Sequence, residues 1–222
     1  MEYSLLEKFM HELLLIRILK DNFLAKAYFC KKLGMRIALF ASGTGTNVKN
    51  IINYFSSNDN VKITSVFSNR ENAGALDHAR SAKIPTRVFT SSELKEVGPV
   101  LNQVLKDEVD LIVLAGFLLK IPEELILKFS GKIINLHPSL LPKYGGKGMY
   151  GNNVHKAVLA AKEKKTGITI HYVNEQYDKG KIIDQFETAI SDKDNLEDVL
   201  LKIKDLERKY FPSTIEKLSL NR

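Results

Sequence analysis

From residue 36 onward, short β-branched and apolar runs alternate with segments whose apolar residues recur at helical spacing. The pattern predicts strands over residues 36–41, 61–67, 86–89, 111–115, 132–136, 168–173 and 181–188. Helices are expected over 46–55, 73–82, 99–106 and 122–129, with a long one following Asn195. Runs such as Leu111-Ile112-Val113-Leu114 are apolar at every position, so both faces of those strands must be covered, as in a parallel sheet. The expected fold is α/β: a doubly wound, mostly parallel, Rossmann-like sheet whose carboxyl-terminal part is mixed or antiparallel.

The first 34 residues differ. Leu5, Leu6, Phe9, Met10, Leu13, Leu14 and Ile16 form a helical apolar stripe with no clear connection to the rest of the chain, while Met35 opens the first strand. The expected organisation is an amino-terminal extension over 1–34, read as a start-site artefact, and one domain over 35–222. Glu2, Glu7, Glu12 and Asp21 argue against a mitochondrial transit peptide, which is poor in acids.

Composition narrows the function classes. A chain of 222 residues, 44% hydrophobic and 27% charged, is long enough for one sizeable core. The net charge of +7 comes from lysines interleaved with Glu93, Glu96, Asp107 and Glu108, which reads as a solvated basic surface with no nucleic-acid partner. That field favours phosphorylated small molecules. No apolar run nears the roughly 20 residues of a membrane span, and the single cysteine, Cys30, suits a reducing cytoplasm. The five histidines lack ligand spacing on any one element and no cysteine cluster exists, so no metal is expected.

Three constellations carry candidate chemistry. The first strand runs into Ser42-Gly43-Thr44-Gly45-Thr46-Asn47 and then a helix, which reads either as a phosphate cradle at a helix start or as a tight strand-to-helix turn. It is not a Walker A loop, and Val48 stands where a dinucleotide fingerprint has its third glycine. The second is Asn135-Leu136-His137-Pro138-Ser139-Leu140-Leu141-Pro142, where Asn135 and His137 emerge on one face at the carboxyl end of a strand. The third is Thr166 to Val173 followed by Gln176-Tyr177-Asp178-Lys179-Gly180, with Thr169 and His171 on one strand face and Asp178 in the turn.

Together, in this order, these motifs resemble the folate-dependent phosphoribosylglycinamide formyltransferase family, over Met35 to about Ser219. The resemblance implies formyl transfer from 10-formyltetrahydrofolate, a co-substrate, to the amine of 5-phosphoribosylglycinamide in purine biosynthesis. It implies catalytic roles for Asn135, His137 and Asp178, with Asp178 keeping His137 protonated so that it can bind the oxyanion or protonate the leaving nitrogen. By resemblance, Gly45, Thr46 and Asn47 hold the phosphate and Glu207 contacts the ribosyl part, while Leu118, Leu119, Lys120 and Ile121 line the folate pocket with Asn135. Lys95 is a further candidate for the folate, and His171 supports the site from behind. The implied state is monomer or homodimer.

Two departures bear on the folate contacts. Many relatives carry Met-Arg-Ile-Leu where this chain has Leu118-Leu119-Lys120-Ile121, and Lys147-Gly148-Met149-Tyr150 are extra residues in a loop that should border the site. Other folate-dependent formyltransferases and formyltetrahydrofolate hydrolases are the nearest alternatives. The former group's tRNA-directed members would need a further carboxyl-terminal domain and the hydrolases a regulatory domain before Met35, and neither fits the available length.

Overall fold

The structure is a computed structural model that describes residues 34–96 and 98–221. The helical stripe expected near the amino terminus lies outside the described residues. Gly34, expected in the extension, is buried with a φ of 66°, and a Cβ there would sit 2.5 Å from the Asp59 carbonyl oxygen.

The described residues form one sheet in the order β3-β2-β1-β4-β5-β6-β7. Strands β1 (Met35–Phe40), β2 (Val61–Ser68), β3 (Thr86–Val88), β4 (Leu111–Leu114) and β5 (Ile133–His137) pair in parallel. Strands β6 (Lys165–Tyr172) and β7 (Ile182–Ala189) add antiparallel, as expected for the carboxyl-terminal part. The chain winds outward from β1 to β3, returns to β4 beside β1, and proceeds the other way. That reversal opens a crevice at the carboxyl ends of β1 and β4, where open α/β sheets bind ligands.

Alternation on β1 shows why the sheet is covered on both faces. Ile37 and Leu39 enter one core layer, with α1 (Thr46–Phe55), α2 (Gly74–Ser81) and α7 (Leu196–Leu220), whereas Ala38 and Phe40 enter the other with α4 (Gly98–Lys106) and α5 (Glu123–Lys128). In the second layer Phe40 stacks on Phe67 with centroids 4.6 Å apart and meets Phe117 edge-on at 5.5 Å.

The observed elements lie within three residues of the expected ends, and two helices fall outside the expected set. The short α3 (Ser91–Lys95) follows a capping box in which Thr90 accepts from the Glu93 N–H and Glu93 accepts from the Thr90 N–H, a legible signal. Helix α6 (Asn152–Ala160) buries Val154, His155 and Val158 at helical spacing directly after the glycine-rich loop. The long α7 opens with the capping box of Asn195 and Asp198 and carries Pro212 inside it.

Phe40→Ala should cost about 3–5 kcal/mol, because it removes a fully buried ring from the centre of an aromatic group. Urea unfolding of the variant against the parent measures this. A loss below about 1 kcal/mol would mean that the layer collapses around the gap.

Candidate active site

The site is assembled from sheet register before any loop is considered. Asn135 on β5 lies opposite His171 on β6, and His137 lies opposite Thr169, so all four side chains share one face. Asn135 Nδ2 accordingly sits 3.2 Å from His171 Nε2. The other ring nitrogen of His171, Nδ1, donates to the Tyr172 carbonyl at 2.9 Å.

Asp178 enters from the turn after β6, in the left-handed region with a φ of 54°. Its carboxylate lies between the two imidazoles: Oδ2 is 3.5 Å from His137 Nδ1, and Oδ1 is 3.6 Å from His171 Nε2. The Gly146 N–H donates to Oδ2 at 2.8 Å, which ties the glycine-rich loop over the site. His137 Nε2 donates to the Tyr144 carbonyl at 2.7 Å. Thr169 donates to the Ser139 carbonyl at 2.6 Å and receives the Leu141 N–H at 3.0 Å, so the turn after His137 is bonded back to β6.

A cavity of about 430 Å³ runs past these groups. Asn47 and Glu207 line it, joined by a hydrogen bond of 2.9 Å from Asn47 Nδ2 to Glu207 Oε2. Leu118, Leu119, Lys120 and Ile121 also line it, as does Tyr177, whose ring centre is 5.8 Å from the Lys120 ammonium. Lys147, Gly148, Met149 and Tyr150 form part of the wall, so this stretch borders the cavity as expected. Lys95 is exposed on α3 and is not part of the cavity lining.

Gly45 and Thr46 do not line the cavity themselves; they precede Asn47 at the start of α1, where no side chain caps the helix. The reason for glycine at 45 differs from the expected close approach of a ligand. Its φ is 76°, and a Cβ there would lie 2.3 Å from Ala75 Cα on α2. The open position is Gly43, whose Cβ would meet nothing within 4 Å. Ser42, fully buried, donates to Asn69 Oδ1 at 2.7 Å and accepts the Leu118 N–H at 3.0 Å, so it braces the first loop against the segment that carries Leu118.

The electrostatics correct one expectation. Burial pushes the His137 imidazole below its ordinary range, and Asp178 with the Tyr144 carbonyl pulls upward without reversing this. Asp178 therefore does not keep His137 protonated in the resting protein. For Asp178 burial pushes upward, yet hydrogen bonding from the His171 imidazole and the Gly146 N–H, with the charge that His137 and His171 carry once protonated, holds its carboxyl below the usual range. Burial raises Glu207, with Asn47 and Lys204 acting in opposition.

His155 is a site residue that the sequence pattern does not single out. It projects from α6 into the cavity lining, is 3% exposed, and its Nδ1 has no hydrogen-bond partner. Burial, with His137 nearby, lowers its pKa. Its signal is the pair Val154-His155 on the apolar stripe of a helix outside the expected set. Among the described residues no group of three or more His, Cys, Asp or Glu is placed to hold a metal ion, and no helix is long and apolar enough to cross a membrane.

Fold and site define an α/β domain with a cleft lined by polar and apolar residues around Asn135, His137 and Asp178. Residues 35–215 match the formyl transferase family, and the chain belongs to it. It is 35% identical over 186 residues to the chloroplastic phosphoribosylglycinamide formyltransferase of Arabidopsis thaliana, covering 81% of this chain and 64% of that protein, which is less than two thirds of its length. With the phosphoribosylglycinamide formyltransferase of Haemophilus influenzae it shares 36% identity over 186 residues, covering 82% of this chain and 85% of the relative. The crystal structure of phosphoribosylglycinamide formyltransferase from Anaplasma phagocytophilum superimposes with a TM-score of 0.78 at 31% identity, covering 85% and 88% of the two chains.

The two lowered imidazoles set a pH dependence. The unfolded chain binds protons on His137 and His155 at higher pH than the folded one does, so stability falls as pH drops below about 6.5. The contribution of Asp178 has the same sign but is lost only below about pH 4. The melting temperature should be level between about pH 7 and 8 and decline from about 6.5 downward, less steeply in His155→Leu than in the parent. Parallel declines in the two proteins would show that His155 is not a source.

Proposed function

We propose that this protein transfers the formyl group of 10-formyltetrahydrofolate to the amine of 5-phosphoribosylglycinamide, a step of purine biosynthesis. The observation that carries the reading is that Asn135, His137 and Asp178 line one cavity together with Asn47 and Glu207, beside a helix start suited to a phosphate, and with Leu118, Leu119 and Ile121, suited to a pterin. The relatives' names support it, and a single cysteine supports a cytoplasmic setting.

The chemistry requires an amine to attack the formyl carbon, an oxyanion to be held, and a proton to pass from the attacking nitrogen to the leaving one. Asn135 provides an amide donor for the oxyanion without a proton to lose. His137, neutral at rest, has its proton on Nε2 and leaves Nδ1 free to accept. It takes the proton released by the attacking amine, stands beside Asp178 as imidazolium while the tetrahedral adduct exists, and returns the proton to the departing folate nitrogen. Asp178 stabilises the charged intermediate form rather than the resting one. Glu207 and Asn47 position the ribosyl part, and the amides at Thr46 and Asn47 meet the phosphate.

Purified protein mixed with 10-formyltetrahydrofolate and glycinamide ribonucleotide should release tetrahydrofolate in step with amine consumed. Turnover with water or aminoacyl-tRNA, and none with this amine, would remove the reading. His137→Ala should lower kcat by about 100-fold or more. The relay also sets the direction of the pH profile: kcat/KM falls on the acid side as His137 becomes protonated. A loss on the alkaline side of the imidazole range would instead restore a histidine that must start protonated.

A substitution at Asn47 separates the subsites. Asn47→Ala should raise KM for the ribonucleotide about tenfold and leave KM for the folate within about twofold. Equal weakening of both substrates would show a structural role for Asn47, and a rise confined to the folate would show that the two substrates have been assigned the wrong way round.

A further inference from the structure

Tyr144 stands out among the non-glycine residues in the left-handed region. Its φ is 56°, although two glycines come directly after it and would adopt that backbone without strain. Two features explain a tyrosine there. The backbone twist aims its carbonyl at His137 Nε2, 2.7 Å away. Its phenol reaches the opposite way and donates to Glu163 Oε1 at 2.9 Å, an oxygen that also receives the Lys143 ammonium at 2.7 Å. Glu163 lies in the turn between α6 and β6, where its own N–H donates to the Val158 carbonyl at 3.3 Å. On the other side the Lys143 carbonyl is held by the Ser139 hydroxyl at 2.8 Å.

We propose that Tyr144 is a positioning residue for His137, its phenol tethered to Glu163 so that the left-handed backbone presents its carbonyl to Nε2 and confines the imidazole's proton there. The tether decides which nitrogen is free. With Nε2 engaged, Nδ1 faces Asp178 and is the nitrogen through which a proton can pass; with Nε2 released, the ring is free to take the other tautomer, whose Nδ1–H cannot accept. Glycine at 144 would allow the backbone and lose the anchor. The groups that face the ring are Asp178, His171 and His155, none of which bonds to Nε2.

The kinetic arm rests on the formyl-transfer reading, whereas the tautomer arm does not. Histidine-15N-labelled full-length protein should show His137 as a single Nε2–H tautomer. Tyr144→Phe should show a mixture, with kcat lowered about tenfold and both KM values within about twofold of the parent. Glu163→Ala should do the same, and the double variant should lose no more than either single one, because both cut one tether. Glu163→Gln keeps an oxygen for the phenol and should retain the single tautomer. An unchanged tautomer in both Tyr144→Phe and Glu163→Ala overturns the proposal, including where kcat and both KM values deteriorate together through loosened structure. A shifted tautomer in a protein that transfers no formyl group would uphold the tether and reject the formyl-transfer reading.

Discussion

Burial of the central strands on both faces is the constraint on which the site depends. Ile37 and Leu39 on one side of β1, and Ala38 and Phe40 on the other, are fully buried, so the middle of that strand is apolar on both faces. Asn135, His137 and His171 lie instead toward the carboxyl ends of β5 and β6, near where the backbone leaves the sheet. The exits of β1 and β4 stay bonded to each other through Ser42, Gly116 and Leu118, and the cavity is lined by residues at and beyond the carboxyl ends of β4, β5 and β6 together with Asn47 and Glu207. Asn135 and His137 reach it from the carboxyl end of β5, on the face they share with His171 and Thr169 of β6.

The same burial governs the charges. A histidine at this depth gives up its proton more readily than an exposed one, and Asp178 at 3.5 Å does not reverse that. The pair is therefore poised for a charge it does not hold at rest. A carboxylate already kept ionised by its neighbours is ready when the imidazole becomes charged, so little reorganisation is needed during reaction. Had the ion pair been present beforehand, His137 would have had no vacant position for a further proton.

Periodicity carries most of the fold into view, since continuous apolar strands and amphipathic helices are local patterns. The order of motifs locates Asn135, His137 and Asp178 for the same reason: strand ends and turns are marked by Pro138 and Gly180. The features that stay hidden depend on distance or direction. Gly45 is required by Ala75, thirty residues away in the chain, a contact no local pattern encodes. The state of His137 depends on how deeply it is enclosed, and residue type alone favours the neighbouring carboxylate. Tyr144 acts through a main-chain carbonyl, which every residue has. His155 escapes notice because the glycine-rich loop obscures the start of α6, although its stripe of Val154 and Val158 is readable.

The glycine-rich loop connects these levels. It begins where Tyr144 holds His137, continues to Gly146, whose N–H holds Asp178, and ends at the start of α6, which places His155. One short segment thus touches the His137 imidazole, its carboxylate partner and a second buried imidazole. Gly145 shows how closely it is packed, because a Cβ there would lie 2.5 Å from Leu141 Cδ2 and 3.2 Å from the Asp178 Cβ. Residues Lys147 to Tyr150 come after these contacts and precede the helix. They line the cavity while the two bonds that set the charges lie before them in the chain, at Tyr144 and Gly146, so a change of length in this stretch need not displace either bond.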